Sequence, residues 1–293
     1  MPNRDSPNLI GVFWMLVTGA FFVGVTVVVK HLGSDLPAAE SAFLRYAIGL
    51  IFIIPLLPAM RRHRPDRLGF GLIALRGLAH TLGVILWFYS MSRIPLAEVT
   101  AMNYLAPVYV MIGAALFLGD KLSLRRMLAV ALALIGTLII LRPGFREVSD
   151  GHLAMLGTGF FLGSSYLIAK KLTDQASPGV VVGWLSVAVT IGLAPFAWAV
   201  WVPPSLEEVL WIALVALFAT GGHFTMGMAF RAAPISVTQP VTFLQIVWAT
   251  LIGALVFGEA VDAFVILGSA LIVAAVSYTS WREAVARRAV AVP

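Results

Sequence analysis

The stretch LIGVFWMLVTGAFFVGVTVVV, residues 9–29, holds no charged side chain along its whole length. A run of about 20 mostly apolar residues can cross the roughly 30 Å hydrocarbon core of a bilayer as a single α-helix. Comparable runs follow along the chain and predict ten membrane spans in all. These spans cover residues 9–29, 38–58, 69–90, 96–118, 125–141, 152–169, 179–201, 207–229, 235–257 and 262–280.

The composition agrees with a chain that lies almost entirely in lipid. Apolar residues make up 60% of the 293 residues, charged residues make up 12%, and the mean hydropathy is +0.95. Soluble domains carry about 25% charged residues, so this chain lacks the polar surface of a fold in water. The fold is predicted to be all-α, because open strand edges leave backbone groups unsatisfied in lipid. The chain has no cysteine, and we expect no metal site and no cofactor.

Lysine and arginine are unequally divided between the alternate gaps. Four of these residues, Lys30, Arg93, Arg142 and Arg146, fall in one set of gaps, and fourteen fall in the other set together with the two terminal segments. The positive-inside rule therefore predicts that both termini are cytoplasmic. Short basic clusters between apolar runs are typical of membrane topology, so no nucleic-acid partner is expected.

The chain also contains an internal duplication. A shift of 140 residues superposes the first span on the sixth, and a shift of 139 residues superposes the fourth on the ninth. The matches include Gly11 with Gly151, Met15 with Met155, Gly19 with Gly159, Lys30 with Lys170, Pro95 with Pro234, and Gly119-Asp120 with Gly258-Glu259. We predict two five-helix repeats, residues 1–145 and 146–293. Five is odd, so the second repeat is inverted, an architecture that many secondary transporters use for alternating access.

Two segments carry a resemblance to a known family. They run from Pro107 through LGDKL at 118–122 to Gly136, and from Leu244 through FGE at 257–259 to Gly268. With the duplicated ten-span pattern, they resemble the EamA family of the drug/metabolite transporter superfamily over nearly the whole chain. Within that family the sequence most resembles bacterial YddG-type amino-acid exporters. The pattern departs from the family at Asp120, where Glu is usual, and at Ile246, which matches Pro107.

The resemblance implies a gradient-driven transporter of the bacterial inner membrane that exports aromatic or large neutral amino acids, or similar metabolites. Its partners would be a small-molecule substrate and the lipid bilayer, and we expect a monomer, with a dimer as the alternative. Two other functions stay open: a multidrug or other metabolite carrier of the same fold, and an intramembrane enzyme. The segment Gly163-Ser164-Ser165-Tyr166 and His223 superficially resemble a serine nucleophile and its base. Gly159 and Gly163, four residues apart, indicate close helix packing instead, so no enzyme is expected.

Polar and aromatic side chains inside the spans are the candidate substrate-binding residues, because ionisable and amide groups in lipid tend to face a cavity or a partner. The candidates are Asn103, Tyr104, Tyr109, Gln245, Trp248, His80, His223, Trp14 and Trp184. Each histidine could alternatively form an interhelical hydrogen bond. Pro107 is predicted to be a helix hinge. Arg45 is expected in a structural ion pair or at a helix end, with Glu40 five residues before it, and Arg76 is expected to reach the inner interface.

The predicted topology is tested by reporter fusions. Reporters placed after Arg64, Lys171 and Arg288 should read as cytoplasmic, and one placed after Val202 should read as external, because the basic gaps stay inside. Alkaline phosphatase and green fluorescent protein activities measure the two locations. An external reading after Arg288 would contradict the even number of spans.

Overall fold

The computed structural model describes residues 5–33, 35–62, 64–118, 124–145, 147–173, 178–233, 238 and 241–290. Every extended regular element in this part of the chain is helical. The six long helices are α1 (Asp5–Leu32), α4 (Arg67–Met91), α8 (Asp150–Thr173), α9 (Pro178–Ala199), α10 (Leu206–Ala232) and α12 (Ala263–Val290). The shorter helices are α2 (Ala38–Gly49), α3 (Leu57–Arg62), α5 (Leu96–Asn103), α6 (Ala106–Leu118), α7 (Leu124–Leu141) and α11 (Leu244–Phe257).

Ten apolar segments account for the predicted spans. Seven are long enough to cross a membrane, namely Leu9–Leu32, Ala38–Arg62, Arg67–Met91, Leu96–Gly113, Asp150–Ala169, Gly179–Ala199 and Leu206–Ala232. Three shorter apolar helices complete the set, namely Met127–Leu141, Leu244–Phe257 and Ala263–Tyr278. Each segment overlaps one predicted span, so the all-α, ten-span fold is confirmed. Much of the start of the ninth span lies outside the described residues.

Two spans are not uniform α-helices. In the second span a 3-10 helix, Leu50–Leu56, joins α2 to α3, and Pro55 within it lacks the backbone N–H that an α-helix would use. In the fourth span α5 ends at Asn103 and α6 begins at Ala106. Pro107 lies in the first turn of α6, where a missing N–H costs little. The predicted hinge residue therefore directly follows a real break in the helix.

The helices pack mainly across the two halves of the chain. The most extensive contacts join α1 to α10, α4 to α8, and α7 to α12, and α2 also packs on α9 and α5 on α11. Because the first span corresponds to the sixth and the third to the eighth, the pairs α1–α10 and α8–α4 are equivalent. The two inverted repeats thus interlock and share their packing surfaces. The boundary between residues 145 and 146 remains a prediction.

Glycines allow the closest of these crossings. A Cβ atom built on Gly136 of α7 would lie 2.6 Å from the carbonyl oxygen of Gly268 on α12 and 2.9 Å from Cγ1 of Ile272. The reciprocal Cβ on Gly268 would meet the carbonyl oxygen of Gly136 just as closely. The two backbones are therefore in direct contact, as at other small-residue crossings in membranes.

The substitution Gly136→Ala tests this crossing. Its methyl group would press on a backbone oxygen that cannot rotate away, and overpacking of this kind costs about 1–3 kcal/mol. Gly71→Ala in α4 is the matched control, because nothing lies within 4 Å of its added methyl group. We expect a lower melting temperature in detergent for Gly136→Ala only. Equal melting temperatures for the two variants would contradict the close crossing.

Candidate functional site

A chain of three polar side chains crosses the middle of the bundle. The Oη atom of Tyr46 on α2 lies 2.9 Å from Nε2 of His80 on α4, and Nδ1 of His80 lies 3.1 Å from Oγ of Ser165 on α8. All three residues are buried. Both imidazole nitrogens of His80 are therefore engaged, and these interhelical hydrogen bonds tie the first repeat to the second.

His223 and Tyr166 are exposed although they lie within membrane-spanning helices. Tyr166 keeps 46% of its surface accessible, and His223 is also exposed. The His223 ring meets the ring of Phe22 on α1 edge-on, with 5.2 Å between their centroids. The surrounding helices therefore leave part of these two side chains uncovered. Tyr166 belongs to α8 and His223 to α10, while Phe22 comes from the first repeat.

Arg45 does not form the ion pair that the sequence suggested with Glu40. Its guanidinium lies over the Tyr46 ring, with Cζ 4.0 Å from the ring centroid. Glu40 instead accepts a hydrogen bond from the backbone N–H of Val202 at 2.9 Å. At 3.6 residues per turn, positions five apart lie about 140° from each other around a helix, so the two side chains face different neighbours. The prediction was wrong for this reason, and no contact of Arg45 with a helix end is found among the described residues.

Arg76 turns into the protein and does not reach the interface. Only 6% of its surface is exposed, and its Nη1 donates to the carbonyl oxygen of Val181 on α9 at 3.2 Å. Gly77 lets α4 and α9 approach closely, because a Cβ atom on Gly77 would lie 2.7 Å from Cβ of Ala188 on α9. The expectation of an interfacial Arg76 was therefore wrong.

The breaks in the fourth and ninth spans meet each other. The hydroxyl of Tyr104 donates to the carbonyl oxygen of Thr242 at 2.5 Å, and the rings of Tyr104 and Phe243 lie 5.3 Å apart. Tyr104 and Phe243 are equivalent positions of the two repeats, so their contact lies near the pseudo-two-fold axis. The Tyr104 hydroxyl is thus bound to the backbone of Thr242, whereas the neighbouring Asn103 side chain is exposed.

Tyr109 and Trp248 are also equivalent, and each covers a glycine of the opposite repeat. A Cβ on Gly19 of α1 would lie 3.2 Å from Cγ of Gln245 and 3.4 Å from Cζ3 of Trp248. A Cβ on Gly159 of α8 would lie 2.6 Å from Cε2 of Tyr109. Gly19 and Gly159 correspond under the 140-residue shift, so the same contact occurs twice. Both aromatic rings pack helices of opposite repeats together. The contact of Trp248 with Gly19 lies one turn of α1 away from Phe22.

The two remaining tryptophan candidates are not joined to His80 or His223 by any described contact. The Trp184 ring lies 5.6 Å from that of Phe70, in a small apolar cluster that also holds Ile73. The Trp14 ring lies 5.4 Å from that of Phe13, which is exposed. The structure therefore groups His223 and His80 at the centre and leaves Trp184 in a separate cluster.

One end of the bundle, called the Lys30 end, is closed by polar contacts between the repeats. Lys30 at the end of α1 forms an ion pair with Glu259, and its Nζ donates to the carbonyl oxygen of Ile94 at 2.8 Å. Glu259 also accepts from the backbone N–H of Leu96, at the start of α5, at 2.9 Å. The two charged side chains are only 16% and 12% exposed. This contact joins the first span to the connection between the ninth and tenth spans.

Two further pairs lie at the Lys30 end. Arg142 pairs with Asp262, and Nε2 of His152 lies 2.5 Å from Oε2 of Glu98. Each pair joins one residue of the first repeat to one of the second, which supports the closure of this end. The counterparts of Lys30 and Glu259 in the repeat alignment are Lys170 and Asp120, and their side chains lie outside the described part of the chain.

Sequence reasoning missed Tyr46, Tyr166 and the pairing of Lys30 with Glu259. A signal for the pair was present, because the repeat alignment places a lysine and an acidic residue at matching span ends in both halves. The two tyrosines carried no comparable signal. Which face of a helix borders a cavity depends on its rotation about its own axis, and hydropathy alone does not set that rotation.

The structure does not favour a serine nucleophile. Ser165 contacts His80 and not His223, and the Ser165 side chain is fully buried. A nucleophilic hydroxyl must reach its substrate while a base accepts its proton. No carboxylate contacts His80 among the described residues. The Ser165–His80 contact is therefore an interhelical hydrogen bond of the scaffold.

Comparisons with known proteins agree with this architecture. Residues 9–142 and 149–281 each match the EamA-like transporter family. A protein named riboflavin transporter from Rhizobium johnstonii is 31% identical over 282 residues, which cover 93% of this chain and 91% of that protein. A protein named pseudopaline exporter from Pseudomonas aeruginosa is 28% identical over 269 residues, 90% of this chain and 94% of that protein.

A solved crystal structure superposes with a TM-score of 0.58 at 20% identity, over 93% of this chain and 96% of that chain. This likeness supports the fold alone. The family match, by contrast, extends through both repeats and over nearly all ten spans. The chain therefore belongs to the EamA-like transporter family within the drug/metabolite transporter superfamily, and it is a multi-pass membrane transporter of small metabolites.

Proposed function

We propose that the protein carries a metabolite with a flat ring through the cavity bordered by Tyr166 and His223. The observation behind this proposal is that both side chains are exposed although they lie within membrane spans, and that His223 also meets Phe22 of the first repeat. The faces and edges of Tyr166, His223 and Phe22 offer aromatic surface. A well-oriented ring pair contributes about 0.5–1.5 kcal/mol beyond simple burial, which favours planar substrates over aliphatic ones of similar size.

Two classes of planar substrate have independent support. The resemblance to YddG-type exporters favours aromatic or large neutral amino acids, which would leave the bacterial cytoplasm across the inner membrane. The relative named riboflavin transporter favours an isoalloxazine ring. Both classes present a flat ring to the same cavity. The gaps between the ten apolar segments are short, so transport is expected to run on a gradient.

Alternating access is the proposed mechanism. The contacts around Lys30 and Glu259 close one end of the bundle, so substrate would enter the cavity from the end that carries the chain termini. Inverted repeats have a second arrangement in which the opposite end is closed. The distribution of basic residues predicts that the Lys30 end lies outside the cytoplasm and that both termini lie inside it. The state described would then face the cytoplasm.

Counterflow in proteoliposomes tests the proposed substrate. Vesicles loaded with unlabelled riboflavin or tryptophan should accumulate the labelled compound, and vesicles loaded with alanine should do so poorly. Tyr166→Ala should lower the exchange of the ringed substrate roughly tenfold, if the contact is worth about 1.4 kcal/mol. Tyr89→Ala is the matched control, because Tyr89 stacks with Arg93 away from this cavity. Equal exchange of alanine and the ringed compounds would contradict the proposal.

Single-cysteine labelling tests the closure of the Lys30 end. The chain has no cysteine, so His223→Cys provides one label within the cavity. A membrane-impermeant maleimide should reach it from the terminal end of the bundle. Adding Glu259→Gln should raise labelling from the Lys30 end, roughly tenfold if the lost pair is worth about 1.4 kcal/mol.

The control for this experiment is Glu208→Gln. The Glu208 carboxylate accepts from the N-cap backbone of Ser205 on its own helix, and among the described residues it forms no ion pair between the repeats. Labelling from the Lys30 end should stay low in this variant. The same labelling rate in Glu259→Gln and Glu208→Gln would show that the ion pair with Lys30 does not hold that end closed.

A further inference from the structure

Arg45 lies within a membrane span and has no acidic partner in the described part of the chain. It is eight residues into α2, about 10 Å below the start of the helix at 1.5 Å per residue. Its one described side-chain contact is with the ring of Tyr46. The side chain is only partly buried, so guanidinium N–H groups remain accessible. The hydroxyl of the same Tyr46 contacts His80, so the charge of Arg45 lies in the layer that holds His80.

Arg76 adds a second cation to the same region. It lies on α4 one turn before His80. Its Nη1 donates to a backbone carbonyl oxygen, but its Nε is buried without a hydrogen-bond partner. The layer around His80 therefore holds two guanidinium groups, of which one is unpaired and the other only partly satisfied.

No described carboxylate lies in this layer. The acidic residues of the described chain occupy connections, helix caps or first turns, except Glu283, which follows the apolar part of α12. The two acidic residues in the first turns of α2 and α5, Glu40 and Glu98, are engaged by the backbone of Val202 and by His152. The counter-charge for Arg45 is thus absent from the described protein.

An intramembrane cation of this kind is costly unless it faces a cavity and meets an anion. Guanidinium binds carboxylate and phosphate oxygens through two parallel hydrogen bonds, which makes it the side chain best suited to an oxyanion. We infer that Arg45, supported by Arg76, binds a carboxylate or phosphate group of the transported molecule. This inference rests on the proposed function, since it assigns a charge to the substrate of the same cavity.

The ring and the anion would occupy adjacent parts of one site. Tyr166 and His223 border the proposed cavity, and the guanidinium of Arg45 lies over Tyr46, whose hydroxyl contacts His80. A planar ligand against the first two residues would therefore direct an acidic substituent towards Arg45. Neutral ligands of the same shape would leave the guanidinium unpaired and should bind more weakly.

Matched ligand pairs test this inference in the purified protein. Indole-3-acetate is compared with indole-3-acetamide for the carboxylate, and flavin mononucleotide with riboflavin for the phosphate. Binding is measured as ligand-induced thermal stabilisation in detergent at low salt, and transport is measured separately by counterflow. At least one anionic member should bind about tenfold more tightly than its neutral partner. The pair that shows this preference identifies the anion as carboxylate or phosphate.

Variants of Arg45 test whether this residue causes the preference for the anionic ligand. Arg45→Gln should bring the anion-to-neutral ratio close to one, and Arg45→Lys should keep part of it. Arg93→Gln is the matched control, because Arg93 also stacks on a tyrosine ring, that of Tyr89, but away from the cavity. It should leave the ratio unchanged.

Two outcomes would overturn the inference. The first is equal or absent stabilisation by both members of each pair in the unmodified protein, a result that needs no folded variant. The second is an anion preference that survives in Arg45→Gln. A preference for the anion without any counterflow would instead refute the proposed transport function while leaving the Arg45 site in place.

Discussion

Direct contact between helices of opposite repeats is the constraint on which the rest of this structure depends. Gly136 and Gly268 bring the backbones of α7 and α12 together. Gly19 and Gly159 receive Trp248 and Tyr109 from the other half of the chain. Because the helices pack mainly across the two halves, side chains from both halves meet at the centre. A cavity that opens alternately to the two sides of the membrane requires side chains from both repeats around it.

The surrounding lipid restricts the positions at which charged side chains are tolerated. At the Lys30 end, Lys30, Glu259 and the backbone groups of Ile94 and Leu96 satisfy one another, so the charges cost little and the end is held closed. At the centre, His80 is satisfied by two hydroxyl groups, whereas Arg45 contacts an aromatic ring and no carboxylate among the described residues. Paired charges thus mark the Lys30 end, and the centre holds cations for which the described part of the chain offers no carboxylate.

The sequence was sufficient for the spans, the duplication and the inversion, because these features follow from the lengths of apolar runs and from identities at a fixed shift. The candidate site was harder to predict. In the sequence, His80 and His223 are both polar residues within apolar helices. In the structure, His80 is enclosed by hydrogen bonds and His223 is exposed. Arg45 was paired with Glu40 by proximity in sequence, although the helical period points the two residues apart. The rotation of each helix about its own axis decides which side chains are enclosed, and the neighbouring helices set that rotation.

A structure with a counterflow-active ligand bound is the most direct test of the central claim that substrate occupies the cavity between the repeats. The account predicts density for a planar group in contact with Tyr166 and His223. It also places an acidic substituent of that ligand within hydrogen-bonding distance of the Arg45 guanidinium. Density elsewhere, with neither Tyr166 nor His223 in contact with the ligand, would contradict it.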